Sequence, residues 1–191
     1  MRIVFCGVGA LGSTAAVLCR GLGAELAFVD FDRVESKNLA AQAFVKASLG
    51  RNKAEALKLQ LASFYGLKSE AFPVKLVDDN VDALCGRADL AVDCFDNAAS
   101  RGVLQAWARR NGRPLVHAAI AADGTFGLVR WSERFVPDVE DAAGQATCEA
   151  GEHLPMIGTL AGTLARVIQD FVEHGTRRSA VVSLRAVTPT D

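Results

Sequence analysis

The glycine run Gly7-Val8-Gly9-Ala10-Leu11-Gly12 sits close to the start of the chain, between two segments of different periodicity. Before it, Arg2-Ile3-Val4-Phe5-Cys6 is an almost continuous apolar run, the pattern of a strand buried on both faces. After it, Ala10 to Gly21 reads as a helix with Leu11, Ala15, Leu18 and Leu22 along one stripe, stopped by Gly21 and Gly23. A strand, a G-x-G-x-x-G turn and a helix form a unit with few uses. Glycines let the backbone turn tightly and approach a ligand closely, and the helix start offers free N–H groups and the positive end of a dipole. A phosphate or pyrophosphate fits there. The next strand, Glu25 to Asp30, ends in an acid about 18 residues after Gly12, close to the spacing at which an acid meets ribose hydroxyls. Gly7, Gly9, Gly12 and Asp30 therefore point to an adenine nucleotide, without separating NAD from ATP.

The rest of the chain alternates in the same way. Ser36 to Ser48 is expected to be partly helical, and Gly50 to Tyr65 a helix with Ala54, Leu57, Leu61 and Phe64 inward. Phe72 to Val77 reads as a strand, Val81 to Cys85 as a short helix, Leu90 to Phe95 as a strand and Arg101 to Arg110 as a helix. Pro114 to Ile120 and Thr125 to Trp131 flank Asp123-Gly124, a hairpin turn signal. Phe135 to Gly151 is polar and glycine-bearing and is expected to be a mobile loop. Leu154 to His174 is the longest helix, and Ala180 to Val187 the last strand. This alternation predicts an α/β fold: a Rossmann-like, doubly wound, mostly parallel sheet with an antiparallel hairpin extension, in one domain over residues 1–191.

Composition narrows the function. Half of the 191 residues are hydrophobic, which excludes a disordered chain. Lys and Arg number 21 against 22 Asp and Glu, so there is no basic field to capture nucleic acid, and none is expected as a partner. No apolar run approaches a membrane span, so no membrane association is expected. The five cysteines, Cys6, Cys19, Cys85, Cys94 and Cys148, form no C-x-x-C pair. Such a scattered, odd set fits a reducing compartment and a cytoplasmic location. Cys6, Cys19 and Cys94 read as small buried hydrophobes, His117 as a polar residue at a strand end, and Trp107 as helix packing.

The segment after the second strand separates the nucleotides. Asp30-Phe31-Asp32-Arg33-Val34-Glu35-Ser36-Lys37-Asn38-Leu39-Ala40-Ala41-Gln42 resembles the D-x-D-x-V-x-x-S-N-L-x-R-Q motif of the ubiquitin-activating and sulfur-carrier-activating superfamily, whose members include ThiF, MoeB and HesA. Gly50-Arg51-Asn52-Lys53 is similar to that family's G-x-x-K at a helix start. Asp93-Cys94-Phe95-Asp96-Asn97 with Arg101 is similar to its D-x-x-D-N-x-x-x-R. Thr147 to Gly151, with Leu160 to Ala165, is similar to its crossover segment and terminal helix. The resemblance implies an adenylyltransferase that uses ATP and Mg2+ to activate the C-terminal carboxylate of a ubiquitin-like or sulfur-carrier protein, acting as a homodimer or heterodimer. It implies roles as well. Gly7, Gly9 and Gly12 would shape the phosphate cradle, and Asp30, with Asp32 beside it, would take the ribose hydroxyls. Asn38 and Gln42 would line the triphosphate, Lys53 would neutralise its charge, and Asp96, with Asn97 beside it, would hold Mg2+.

Other readings of these residues stay open. Asp30 and Asp32 are also what solvated loop acids look like, Lys53 what a surface helix lysine looks like, and Asp96-Asn97 what a helix N-cap looks like. The chain departs from the motif at Ala41, where the family carries a phosphate-binding arginine; Arg51 could supply that charge or could be a plain surface arginine. The N-terminal arginine-bearing helix of many members is not expected ahead of the first strand, and their zinc-binding C-x-x-C pairs do not occur. A degenerate, non-catalytic subunit that binds nucleotide or carrier is the alternative, and an NAD-dependent oxidoreductase a further one. Cys148 stands where some relatives place a thiol that joins the carrier covalently; an unreactive loop cysteine is the other reading.

Overall fold

The computed structural model describes residues 1–133, 135 and 153–190. These residues form one sheet in the order β3-β2-β1-β4-β5-β6-β7-β8. The parallel part joins β3 (Ser69–Phe72), β2 (Glu25–Val29), β1 (Arg2–Cys6), β4 (Leu90–Asp93) and β5 (Leu115–Ile120). β6 (Phe126–Trp131), β7 (Ser179–Ser183) and β8 (Val187–Thr190) extend it antiparallel from β5. The helices are α1 (Ala10–Leu18), α2 (Lys53–Tyr65), α3 (Asp78–Cys85), α4 (Ala98–Arg110) and α5 (Leu154–His174). The expected doubly wound sheet with its antiparallel hairpin is thus present.

Alternation along the strands divides the core. On one face Ile3 and Phe5 of β1 pack with Leu26, Phe28, Leu90 and Val92 beneath Leu11, Ala15, Leu57, Leu61, Leu160 and Leu164 of α1, α2 and α5. On the other, Val4, Cys6, Ala27 and Val29 meet Val81 and Cys85 of α3 and Leu104 and Trp107 of α4. Both faces of β1 are covered, so its apolar run needs no alternation. Each fully buried leucine, isoleucine, valine or phenylalanine among these contributes about 1.5–3 kcal/mol. Leu164 is wholly buried, and Leu164→Ala would cost about 2–5 kcal/mol. α5 ends at Gly175, whose φ of +67° closes the helix in the left-handed region.

Several expected boundaries move, each for a local reason. The first helix ends at Leu18 and tightens into a turn over Cys19–Gly21; Leu18 is exposed, and Cys19, four residues after Ala15, takes the inward place. α2 starts at Lys53, because Asn52 is its cap and accepts from the Glu55 N–H at 3.2 Å. Phe64 is exposed, lying edge-on to Tyr65 beyond the buried row Ala54, Leu57 and Leu61. The third strand lies at Ser69–Phe72 rather than at 72–77, since Pro73 has no N–H to continue the ladder. Ser36–Ala40 and Lys46–Ser48 are short 3-10 turns. The last strand is two: Ser183 Oγ accepts from Arg185 N and Ala186 N in a turn, and β8 adds an edge strand, where Pro189 is tolerated. Apart from Phe135, the expected 135–151 loop lies outside the described residues. Among the described residues no helix is long and apolar enough to cross a membrane.

Candidate functional site

β1 lies between β2 and β4, whose helices pack on opposite faces, so a crevice opens beyond the carboxyl ends of these strands. The glycine loop fills that position. Gly7 has φ +84°, and a Cβ there would lie 2.8 Å from the Cys94 carbonyl oxygen. A Cβ on Gly12 would lie 2.0 Å from the Gly7 oxygen. These two glycines are required by the turn itself. Gly9 differs: a Cβ there meets only Gln42 Nε2 at 4.0 Å, so this glycine faces open space. The first helical bond runs from Ser13 N to Gly9 O at 3.0 Å, leaving the preceding amides without helical acceptors.

Asp30 is built into the loop rather than solvated beside it, whereas the Asp32 carboxylate is exposed. Asp30 Oδ2 accepts from Val8 N at 2.8 Å and Oδ1 from Asp32 N at 2.9 Å, tying β2 to the glycine turn. Burial raises the Asp30 pKa, opposed by those amides and by Lys53. Each Asp30 oxygen keeps acceptor capacity for a further donor. Asn52 Nδ2 donates to the carbonyls of Asp30 and Asp32, at 2.8 and 3.1 Å. Lys53 is not a surface lysine: its residue exposure is 8%, and Nζ lies 3.0 Å from Asp32 Oδ2, which is half-exposed.

The other sequence candidates divide. Asn38 is buried and accepts from Glu35 N at 2.9 Å, shaping its own turn. Gln42 reaches towards Gly9, and its buried Oε1 has no partner among the described residues. Arg51 is exposed, while Ala41 is buried in the core cluster beside Phe44. Asn97 caps α4, accepting from Ser100 N at 2.9 Å. Asp96 stands exposed between that cap and Phe95, whose N–H abuts Gly7. Cys148 lies outside the described residues.

Behind Asp96 is a buried cluster in which Asp93 and Arg101, both letters of the sequence motif, are joined by His117, whose place the sequence did not reveal. Asp93 and His117 are fully buried and directly paired in the β4–β5 register. His117 is therefore an interior residue of β5, not a strand-end polar group. Asp93 Oδ2 accepts from Arg101 Nε at 2.9 Å and is 2.7 Å from His117 Nδ1; Oδ1 accepts from Phe95 N at 3.0 Å. The Phe135 ring stacks on His117 at 4.0 Å and lies under the Arg101 guanidinium. The signal available in the sequence was Asp93 itself, because a carboxylate ending an apolar strand must find donors.

Among the described residues the thiols of Cys6, Cys19 and Cys94 all have raised pKa values. Cys6 and Cys85 are buried with sulfurs 4.0 Å apart, which raises the Cys6 pKa, and burial pushes Cys19 up to about 12. Cys94 is also raised, by burial and then by Asp93, although it is only half-buried rather than enclosed as expected.

The residues present fit a nucleotide triphosphate with a divalent ion. The open side of Gly9 leaves room at the cradle, and the Gln42 amide nitrogen borders it as a donor suited to phosphate oxygens. Among the described residues no three His, Cys, Asp or Glu gather to hold a metal, whereas Mg2+ characteristically uses one or two carboxylates with phosphates and waters. Asp96 offers one such carboxylate.

Comparisons with known proteins place the chain in a family. The model of the ThiF family matches residues 1–173. The chain is 31% identical over 182 residues to the molybdopterin-synthase adenylyltransferase of Salmonella typhimurium, covering 91% of this chain and 73% of that protein. It is 26% identical over 190 residues to the adenylyltransferase and sulfurtransferase UBA4 of Debaryomyces hansenii, covering 92% of this chain but only 42% of that one. The fold superposes on E. coli MccB, crystallised with MccA-N7isoASN, with a TM-score of 0.81 at 17% identity, covering 99% of this chain and 63% of MccB.

Proposed function

Because the chain belongs to the ThiF family, we propose that it adenylates the C-terminal carboxylate of a ubiquitin-like or sulfur-carrier protein, using ATP and Mg2+. The observation that carries this reading is the convergence of three features at the carboxyl ends of β1, β2 and β4. They are the glycine turn with its open Gly9, the buried Lys53 ammonium and the exposed Asp96 carboxylate. The names of the Salmonella and Debaryomyces relatives support the reaction class. The family match supports ATP over NAD.

In this reading a carboxylate oxygen of the carrier attacks the α-phosphorus of ATP. The bond to the bridging oxygen breaks, and pyrophosphate leaves with the electron pair. Gly7 and Gly12 hold the turn in shape, Gly9 admits the phosphates, and the α1 amides donate to them. Asp30 accepts from the ribose hydroxyls with its remaining lone pairs. Asn38 keeps its own turn in register, and the Gln42 amide nitrogen, close to Gly9, offers the phosphates a donor. Lys53, oriented by Asp32, offsets the negative charge that builds on the departing pyrophosphate. Asp96 and the Asn97 cap present a carboxylate for Mg2+, which would supply charge neutralisation at the transferred phosphate.

Positive charge in this set is sparse, since Ala41 is buried and carries none. A homodimer or heterodimer in which a second subunit adds a cation answers that shortage. The same feature favours a second reading, a nucleotide- or carrier-binding subunit without catalysis. ATP–pyrophosphate exchange with candidate carriers ending in Gly-Gly separates the two, alone and with co-encoded partners. Exchange supports the first reading. Mg-ATP binding without exchange under any pairing supports the second. A larger thermal shift with NAD than with Mg-ATP overturns both. A strict monomer by light scattering in every mixture refutes the dimer.

A further inference from the structure

Asp93 ends β4 with no exposure, and a buried carboxylate of this kind is stable only where donors meet it. It has three. Arg101 Nε and His117 Nδ1 converge on one oxygen, at 2.9 and 2.7 Å, and Phe95 N reaches the other at 3.0 Å. Arg101 also donates through its terminal NH2 to the Phe95 carbonyl. Both backbone groups of Phe95 are therefore gripped by side chains, one by Asp93 and one by Arg101. The next residue is Asp96, and the one after it is locked as the α4 cap through Ser100 N.

We propose that His117 is a positioning residue for Asp96, acting through Asp93 and Arg101. Its Nδ1–H fixes the rotamer of Asp93, so that one oxygen faces Arg101 and the other the Phe95 amide. That aims the turn, and with it the exposed carboxylate one residue on. The imidazole is itself fixed. Nδ1 faces the Asp93 carboxylate at 2.7 Å, and the ring stacks on Phe135 with an interplanar angle of 13°. Phe135 is anchored in turn, since its carbonyl accepts from Gln105 Nε2 at 2.9 Å and from Arg109 at 3.2 Å. His117 Nε2 is buried without a partner among the described residues, so the ring is held from its Nδ1 side and by stacking.

The inference rests on the assignment of Asp96 to a divalent ion, and two measurements keep the ideas apart. Hydrogen exchange at the Phe95 amide, compared with amides of β1, reads the turn without ligand. His117→Leu should speed Phe95 exchange at least about tenfold relative to β1, the loss of one hydrogen bond to a charged group. His117→Asn, whose amide offers a donor near the Nδ1 position, should keep most of the protection. Mn2+ affinity in the presence of ATP reads the consequence. It should fall in His117→Leu and in Asp96→Ala and be largely retained in His117→Asn. Equal Phe95 protection in wild type and His117→Leu overturns the positioning role, as does failure of His117→Asn to restore protection while β1 stays protected. Loosened Phe95 exchange in His117→Leu, with Mn2+ affinity indifferent to Asp96→Ala, supports the positioning of the turn and overturns only the metal assignment.

Discussion

Gly9→Ala and Gly12→Ala should fail in opposite ways. At Gly12 the added methyl would stand 2.0 Å from the Gly7 oxygen and 3.2 Å from Cys94 Cβ. An ordinary carbon–oxygen contact is more than about 1 Å longer, so either the first turn of α1 or the Gly7 peptide must move. Both are enclosed by backbone, and the cost is about 3 kcal/mol or more. For a chain of this size that lowers Tm by about 6–12 °C. At Gly9 the new methyl meets only Gln42 Nε2 at 4.0 Å. Alanine is poorer than glycine at a helix cap but restricts the unfolded chain, so stability should stay within about 1 kcal/mol of wild type. Nucleotide affinity should nevertheless drop at least about tenfold, because the methyl occupies the space through which phosphate approaches the amides. Calorimetric melting gives the first quantity, and titration with Mg-ATP the second. Wild-type ATP affinity in Gly9→Ala would refute the cradle, and an unshifted Tm in Gly12→Ala would refute the packing argument.

Lys53→Met should reduce pyrophosphate exchange at least about 100-fold, while the melting temperature reports only about 1 kcal/mol, since Asp32 is half-exposed and screened; Asp96→Ala should abolish exchange and leave part of the nucleotide affinity, with stopped-assay product counts and calorimetry as the checks. Under native conditions at pH 8, iodoacetamide should label Cys148 before Cys19, whose pKa of about 12 leaves roughly one part in ten thousand as thiolate; peptide mass mapping that finds Cys19 labelled first refutes this. If the carrier is held covalently, a non-reducing gel should show an adduct that Cys148→Ser lacks. Arg2 grips Glu70 with two bonds, at 2.8 and 3.0 Å, and lowers its pKa, so that stabilisation is present above the usual carboxylate value and fades as pH falls through the lowered one. Glu70→Gln should therefore flatten the acid limb of the Tm–pH curve, and an unchanged limb counts against the pair.

The parts of the fold that declared themselves in the sequence are those dictated by local chemistry. Gly7 and Gly12 had to bracket a turn, and Asp123-Gly124 had to reverse the chain. The helical repeat of apolar positions could not be misread along α5, where Ile157, Leu160, Leu164 and Ile168 are all buried. What stayed hidden depended on partners distant along the chain. Leu18 and Phe64 have helix-core chemistry, yet only the position of the sheet decides that they face water. β8 is short, polar and contains proline, and only an available edge makes it a strand. The candidate site behaves likewise. Asp30, Lys53 and Asp96 were visible as motif letters, but the burial of Lys53 and its pairing with Asp32 are tertiary facts. His117 was invisible because its meaning comes from Asp93, across the β4–β5 register.

The neighbours of the first strand also set the order in which the chain can finish folding. β1 takes its place between β2 and β4, and α1 shares its buried face with α5, which begins about 140 residues later. On a ribosome that interval lasts roughly 7–30 s. For that time the α1 face lacks the cover that α5 gives it in the folded chain. ATP present during synthesis therefore has no finished cradle to select until the last long helix has left the exit tunnel. A nascent chain stalled before α5 should bind chaperones that read apolar segments, and release from them should coincide with the first retention of nucleotide.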